Sequence, residues 1–239
     1  GMGVELADIG DTWRRAIARP IPPVELPTGP CHDVVIAGDD LARRGLDILP
    51  VPISTPGFDS APYLTATNCI TRDPDSGIAN MGTYRCALKS PNRMGLKMFV
   101  HMGQGGHAHW LKCRARGEGM PIAVVLGPPP VVSYCGPQSL AADVDEIAVA
   151  GGIAGAPIEV VRAKTVDLPV PAQAEIVIEG LVDTEFFEPE GPFGESHGHI
   201  NLEEYNFILD VTAITYRNGA ILPSIISQVT PSESSVIKR

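Results

Sequence analysis

The chain is interrupted throughout by residues that end regular secondary structure, with 25 glycines and 23 prolines among its 239 residues. Glycine permits tight turns, and proline cannot continue a helix or a central strand, so each run between them is short. Aromatic residues make up only 5% of the chain. This pattern favours many short strands joined by turns over long helices.

Apolar periodicity assigns structure to the runs between these breaks. Leu6, Ile9, Trp13 and Ile17 share one helical face, which predicts a helix from residue 4 to residue 19. Strands do not alternate regularly with helices, which argues against a doubly wound parallel sheet. Two further helices are expected at residues 107–117 and 138–153, and extended segments at residues 33–37, 57–67, 70–72, 80–88, 97–102, 122–126, 158–162, 175–182 and 206–217.

Composition argues against several classes of partner. Hydrophobic residues account for 44% and charged residues for 19%, as in a globular protein with a packed core. The formal net charge is −10 and the basic residues form no dense run, so nucleic acid and anionic membranes are poor partners. No apolar run approaches the roughly 20 residues that span a bilayer. The five cysteines are widely spaced without a Cys-x-x-Cys pair, which indicates buried free thiols in a reducing cytoplasm.

The segment from Pro189 to Gly198 contains two acidic residues, Glu190 and Glu195, on a stretch that Pro192 stiffens. Two carboxylates held in one dry cavity cannot both stay ionised at low cost. One of them then has a raised pKa and can deliver a proton near neutral pH. The alternative interpretation is a charged surface turn, which the spacing alone does not exclude.

A cation that needs a partner is Arg85, which lies between Tyr84 and Cys86 in an otherwise apolar strand candidate. A guanidinium rarely occupies such a position unless it is paired. Arg85 is therefore expected to bind a substrate carboxylate or to pair with Glu190. The purely structural alternative is a buried Arg–Glu pair that fixes the loop.

Taken together, the segments Asn80-Met81-Gly82-Thr83-Tyr84-Arg85 and Pro189-Glu190-Gly191-Pro192-Phe193-Gly194-Glu195 resemble the UbiD family of non-oxidative decarboxylases. Many ordered matches are more specific than any single motif. The resemblance runs from about Ala18 to the end of the chain. It includes residues 20–24, 71–77, 92–93, 167–172, 174–180 and 214–218.

The resemblance implies an α+β fold built on a split β-barrel, akin to the FMN-binding domains of flavin reductases, with flanking helices. Residues 1–19 would be the connecting helix of an N-terminal domain that is largely absent. Residues 20–239 would be the cofactor-binding split-barrel domain. Full family members carry a domain on either side of this one, so the chain is expected to be a fragment, a split subunit or a short homologue.

The resemblance also implies prenylated FMN as the cofactor, with Mn²⁺ or another divalent cation at its phosphate and K⁺ as a further candidate ion. Oxygen and imidazole donors suit such cations. The matching metal ligands are Asn80, Glu146 and His107, with Asp143 and Asp145 as alternatives to Glu146 and His101 as the alternative to His107. The matching cofactor contacts are Thr83, Tyr84, Arg85, Lys97, Met98, Phe99, Met102 and Gly103.

Each of these assignments has a structural alternative. Asn80 would be a turn residue that bonds its own backbone, Glu146 part of a solvated acidic helix face, and His107 simply the start of a helix. The glycines near position 103 would serve a turn instead of a phosphate.

For catalysis, the resemblance implies Arg85, Glu190 and Glu195. Glu195 would donate the proton that replaces CO2, and Glu190 would hold Arg85. The implied reaction is the reversible, non-oxidative decarboxylation of an aromatic or α,β-unsaturated carboxylic acid through a covalent adduct with prenylated FMN. The expected partners are that acid, a flavin prenyltransferase that supplies the cofactor, and a second copy or a second subunit. The alternatives are a non-catalytic cofactor-binding subunit and an ordinary FMN oxidoreductase.

Overall fold

The computed structural model describes residues 2–98, 104–195, 197–227 and 230–237. The α-helices of these residues are short. None of them is long and apolar enough to cross a membrane. Their bounds are α1 Ile9–Ala18, α2 Gly38–Arg43, α3 Gly105–Ala115, α4 Pro130–Cys135, α5 Glu146–Ala154 and α6 Glu233–Ile237, and 3-10 turns lie at Leu6–Asp8, Pro30–His32 and Gly45–Ile48.

Strands form the framework of the molecule, as the glycine and proline pattern predicts. Most are two to six residues long, whereas β11 and β14 are much longer. Their bounds are β1 Val24–Glu25, β2 Val34–Ala37, β3 Tyr63–Leu64, β4 Thr67–Arg72, β5 Ala79–Gly82, β6 Cys86–Ser90, β7 Arg93–Leu96, β8 Met120–Leu126, β9 Glu159–Arg162, β10 Pro169–Pro171, β11 Ile176–Glu190, β12 Phe193–Gly194, β13 Ile200–Asn201 and β14 Glu204–Tyr216.

Nine strands form one antiparallel sheet in the order β3-β6-β7-β14-β11-β8-β4-β5, with β2 also paired to β14. The long strands β11 and β14 pair at the centre, from Ile176 opposite Tyr216 to Glu190 opposite Glu204. A second sheet has the order β1-β9-β10, and β12 pairs with β13. The α+β class is confirmed. Within the described ranges, the large sheet does not close into a barrel, so the split barrel stays a prediction.

The large sheet is buried on both faces, because alternate side chains of its strands enter two different cores. Ile122, Val124 and Leu126 of β8 enter the inner core, whereas Ala123 and Val125 enter the outer core. The inner core also contains Leu64, Cys69, Cys86, Met94, Trp110, Ile178 and Phe207. The outer core is covered by α1, α4 and α5 and contains Ala16, Cys31, Val132, Cys135, Ile147, Val160 and Val177.

Helix α5 begins later than the periodicity predicts. The expected helix over residues 138–153 is wrong in its first half, because only Glu146–Ala154 is helical there. The side chain of Asp145 accepts hydrogen bonds from the backbone of Ile147 at 2.8 Å and Ala148 at 3.4 Å. This N-cap satisfies donors that a helix start leaves unpaired, so it fixes the start of α5 at Glu146.

Two further strand predictions differ from the structure. The strand expected over residues 80–88 is interrupted at residues 83–85, which separate β5 from β6. The strand expected over residues 97–102 is wrong at its start, because β7 has already ended at Leu96. Lys97 and Met98 follow it outside any strand, and residues 99–103 lie outside the described residues. Both differences fall on residues that the sequence assigns to a functional site.

Candidate active site

Arg85 lies in the interruption between β5 and β6, and its side chain is only 9% exposed. Its Nε donates to Glu190 Oε1 at 2.9 Å, and its Nη2 donates to Glu190 Oε2 at 2.9 Å. Its third nitrogen, Nη1, donates to Glu195 Oε1. One guanidinium therefore binds both carboxylates of the segment from Pro189 to Gly198. The structure brings Arg85, Glu190 and Glu195 together, as predicted.

The two carboxylates occupy different environments. Glu190 is the last residue of β11, not a loop residue, and its side chain is 1% exposed. It also accepts a hydrogen bond from Asn206 Nδ2 at 3.3 Å. Glu195 follows β12, and its side chain is 25% exposed. Glu190 is thus a buried partner of Arg85, whereas Glu195 faces open space.

Two aromatic rings support the guanidinium. Phe193 lies 4.5 Å from the Arg85 guanidinium carbon, measured to the ring centroid, and Tyr63 lies 5.9 Å from it. The Tyr63 hydroxyl accepts a hydrogen bond from the backbone of Gly191 at 3.1 Å. Burial raises the pKa of Tyr63 to about 12, so its hydroxyl stays neutral.

Arg85 keeps its charge despite its burial. Desolvation opposes the charge and acts to lower the pKa, but the hydrogen bonds with Glu190 and the charges of both carboxylates outweigh it. The pKa of Arg85 is therefore raised above its ordinary value. A buried cation with two anionic partners is a rigid element of a site.

Glu195 and Arg85 line a cavity of about 350 Å³, here called the Arg85–Glu195 cavity. Thr83, Tyr84 and Lys97, which the sequence assigns to the cofactor, line the same cavity. The Lys97 ammonium forms an ion pair with Glu204, and this contact lowers the pKa of Glu204. The rest of the lining consists of Thr65, Phe193, Ile225, Ser227 and Ser234.

Asn80 and Glu146 line a neighbouring cavity of about 340 Å³, here called the Asn80–Glu146 cavity. Glu146 is 5% exposed, and its Oε2 accepts a hydrogen bond from the backbone of Met81 at 2.9 Å. Burial raises the pKa of Glu146 from 4.5 to about 7. A buried carboxylate with so few donors favours a cation beside it, because a cation offsets the cost of its charge.

The hydrogen-bonding groups of the Asn80 side chain are not all used within the described residues. Its Nδ2 is buried and has no hydrogen-bond partner among the described residues. The first residue of α3, Gly105, approaches it so closely that a Cβ there would lie 2.0 Å from Asn80 Oδ1. Asn80 Oδ1 and the Glu146 carboxylate are oxygen donors that share one cavity, and oxygen is the ligand type that a hard divalent cation prefers.

The other predicted ligand, His107, is in a different place. Its ring lies against Trp110 and Phe207, with centroid separations of 6.1 Å and 5.9 Å, and it does not line the Asn80–Glu146 cavity. Within the described ranges, no three His, Cys, Asp or Glu side chains form a group that could hold a metal ion. The metal assignment therefore stays a prediction, and its third ligand is not identified.

Some predicted residues are not brought to the site. Met98 is 2% exposed and belongs to the inner core, and it lines neither cavity. Phe99, His101, Met102 and Gly103 lie outside the described residues.

Sequence reasoning missed two residues that support the charged network, Tyr63 and Asn206. Asn206 is a 4% exposed amide directly before the apolar run Phe207-Ile208-Leu209 of β14, and that contrast was the available signal. Tyr63 had no such signal, because its contact with Gly191 spans 128 positions of the sequence.

The sequence and the fold match known proteins. The sequence profile of the UbiD family, described as the 3-octaprenyl-4-hydroxybenzoate carboxy-lyase Rift-related domain, matches residues 23–229. The chain therefore belongs to the UbiD family. An uncharacterised protein from Aquifex aeolicus (strain VF5) is 35% identical over 212 residues, which are 87% of this chain and 42% of that protein.

Solved UbiD-class enzymes have the same architecture. HmfF from Pelotomaculum thermopropionicum in complex with FMN is 29% identical, with a TM-score of 0.90 over 99% of this chain and 51% of HmfF. An evolved dimeric form of HmfF in complex with prFMN has the same score and identity, over 99% of this chain and 53% of that one. Vanillic acid decarboxylase from Sedimentibacter hydroxybenzoicus is 25% identical, with a TM-score of 0.87 over 97% of this chain and 49% of the decarboxylase chain. The chain thus spans about half the length of the relatives it matches.

Proposed function

We propose that this protein catalyses the non-oxidative, reversible decarboxylation of an aromatic or α,β-unsaturated carboxylic acid. The observation that carries the proposal is that Arg85 binds both Glu190 and Glu195, and that Arg85 and Glu195 line one cavity. A fixed cation beside a partly exposed acid can bind a carboxylate and supply a proton in the same place. The relatives with FMN and prFMN complexes support a flavin at this site.

The residues present fit a flavin phosphate with a divalent cation. Asn80 and Glu146 would hold the cation, and the backbone at the start of α3, beside Gly105, would approach the phosphate. Thr83, Tyr84 and Lys97, which line the Arg85–Glu195 cavity, would lie along the flavin. When bound, prenylated FMN supplies an electron sink for the pair of electrons that is left as CO2 departs.

The charged residues divide the remaining work. Arg85 orients the substrate carboxylate, and Glu190, which is buried and accepts two hydrogen bonds from Arg85, fixes the guanidinium in place. Glu195 donates its proton to the carbon atom that loses CO2, and the carbon–carbon bond to the carboxylate breaks. The reverse sequence, in which Glu195 accepts the proton, forms the carboxylic acid from CO2.

The test is CO2 release by protein that has been co-expressed with a flavin prenyltransferase. A panel of aromatic and α,β-unsaturated acids is supplied, and the matched control is protein that carries FMN alone. CO2 evolved only by the co-expressed preparation supports the proposal. Bound flavin without CO2 release contradicts it and is the result expected of a cofactor-binding subunit, whereas oxidation of a reduced nicotinamide would favour an FMN oxidoreductase.

A further inference from the structure

The side-chain amide of Asn68 is unusual in its surroundings. Asn68 is the second residue of β4, beside the apolar strand β8, and it is 3% exposed. Its Nδ2 is buried and has no hydrogen-bond partner in the part of the chain that the structure describes. A buried donor without an acceptor destabilises a fold, so native proteins retain very few of them.

Asn68 lines a third cavity, here called the proline-lined cavity, which has a volume of about 580 Å³. Thr83 lines this cavity and also both cavities described above, so all three meet at Thr83. The proline-lined cavity takes its name from Pro128, Pro130, Pro137 and Pro223. Such walls suit a planar apolar ring and offer it few hydrogen bonds.

The Asn68 amide points at the place where the cavities meet. A Cβ on Gly136, which lines the Asn80–Glu146 cavity, would lie 2.2 Å from Asn68 Nδ2 and 3.1 Å from Thr83 Oγ1. Only glycine therefore leaves room for both side chains. A ligand that joins the Asn80–Glu146 cavity to the Arg85–Glu195 cavity passes Thr83, which lines both, and the Asn68 amide lies beside Gly136 in the wall of the first.

We infer that Asn68 is a positioning residue that donates a hydrogen bond to an acceptor oxygen of the bound flavin. The inference rests on the proposed function, because it takes a flavin as the ligand that joins the cavities. The amide supplies a hydrogen-bond donor in an otherwise proline-rich wall. This donor would fix the position of the flavin along the line from the Asn80–Glu146 cavity to Arg85. In the absence of the flavin, that unpaired donor destabilises the fold.

The experiment measures FMN and riboflavin affinity by flavin fluorescence quenching, together with the melting temperature of the flavin-free protein. Asn68→Leu removes the donor and keeps an apolar side chain of similar shape, and Asn68→Ala is the second variant if the leucine variant does not fold. The matched control is Thr215→Val. Thr215 is 0% exposed and its Oγ1 has no partner among the described residues, but it lines none of the three cavities.

We expect Asn68→Leu to bind FMN about tenfold more weakly, as the loss of one hydrogen bond predicts, while the flavin-free protein melts no lower than the wild type. Thr215→Val should bind FMN as the wild type does. A loss seen with FMN and riboflavin alike assigns the acceptor to the ring or the ribityl chain, and a loss seen only with FMN assigns it to the phosphate.

Unchanged FMN affinity in whichever Asn68 variant folds would overturn the inference. So would a fall in the melting temperature of the flavin-free protein without any loss of FMN affinity, because the amide would then serve only the fold. Wild-type protein that binds neither flavin refutes the cofactor site of the proposed function, a different failure, and removes the basis of this inference as well.

Discussion

At the residue scale, the charged network depends on a balance between desolvation and pairing at Arg85. Moving a guanidinium and a carboxylate out of water costs several kcal/mol for each ion, and a pair recovers this only with good geometry. Arg85 and Glu190 have that geometry, since two parallel hydrogen bonds of 2.9 Å join them. Asn206 occupies a further acceptor position of Glu190. Removing one partner should therefore cost more than the pair itself contributes.

Replacing Arg85 with methionine should destabilise the protein by about 3–5 kcal/mol, because it leaves the carboxylate of Glu190 buried without a cation. The measurement is urea unfolding at neutral pH. The matched control is Arg93→Met, which removes an arginine with a 37% exposed side chain from its pairs with Glu188 and Asp210. That control should cost about 1 kcal/mol or less. Equal stability of the two variants would contradict the buried-pair argument.

Replacing Glu195 with glutamine should lower the rate of decarboxylation by about 10²–10⁴ and leave FMN affinity unchanged, because an amide keeps the shape but cannot donate the proton. The assay is CO2 release at matched flavin occupancy in an active preparation. Glu203→Gln, at an exposed position near the same loop, is the control and should keep full activity. If the glutamine variant turns over normally, the proton donor is another group, and Glu190 is the next candidate.

The three charged residues were predictable from sequence, but their arrangement was not. The family resemblance identifies Arg85, Glu190 and Glu195 as residues of two sequence motifs. It does not reveal that Glu190 ends a strand while Glu195 follows one, because strand ends depend on pairing partners far away in the sequence. The aromatic support from Tyr63 and the hydrogen bond from Asn206 arise from the same long-range pairing. The predicted metal ligands divide likewise, since Asn80 and Glu146 line one cavity and His107 does not line it.

At the element scale, local packing decides where strands break. Tyr84 turns inward between β5 and β6, and its hydroxyl accepts a hydrogen bond from the backbone of Gly106 at 3.3 Å. A Cβ on Gly82 would lie 2.3 Å from that hydroxyl, so the ring fits only beside glycine. The apolar run across residues 80–88 predicted one continuous strand, because periodicity does not register a tertiary contact of this kind.

Asp73 joins two elements, because it fixes the turn between β4 and β5 and also receives Lys112 of α3. Its carboxylate accepts hydrogen bonds from the backbone of Asp75 at 2.8 Å and from the Lys112 ammonium at 2.6 Å. The contact with Lys112, followed by the turn backbone, lowers the pKa of Asp73 from 3.8 to about 2. A carboxyl with a lowered folded-state pKa stabilises the fold above its unfolded-state pKa, and that contribution is lost as the pH falls toward 2.

Asp73→Asn should therefore lower the free energy of unfolding at pH 7 by no more than about 1 kcal/mol, because solvent reaches the pair. The difference from the wild type should shrink as the pH falls from about 4 to about 2. Urea unfolding across this pH range is the measurement. Asp143→Asn, at an exposed position outside any described helix or strand, should show no such dependence. A difference that is constant with pH would show that the carboxylate charge is not what matters.

At the scale of the whole molecule, the two cores are built on the same strands. Strands β4, β8 and β11 send alternate side chains into the inner and outer cores, so neither core can lose its packing while the other keeps its strands. The glycine and proline pattern predicted a strand-rich fold, and the family resemblance implied the α+β class. The order of strands in the sheet was not predictable, because it depends on pairings such as β14 with β2, β7 and β11.

The five cysteines report on both cores, because all of them are buried and free. Cys69, Cys86 and Cys113 belong to the inner core, and Cys31 and Cys135 belong to the outer core. Burial raises the pKa of Cys31 to about 11 and that of Cys135 to about 12. At pH 8 these thiols are therefore both protonated and shielded, and a buried, protonated thiol is a poor nucleophile.

We expect no alkylation of the native protein at pH 8 and reaction of all five cysteines in full denaturant. Pulsed alkylation with iodoacetamide across a urea series, followed by mass spectrometry of the peptides, gives a midpoint for each cysteine. Because the cores share three strands, the inner and outer cysteines should have the same midpoint. A small free thiol, N-acetylcysteine, labelled at every urea concentration controls for the effect of urea on the reagent. An earlier midpoint for Cys31 and Cys135 alone would mean that the outer core opens independently of the sheet.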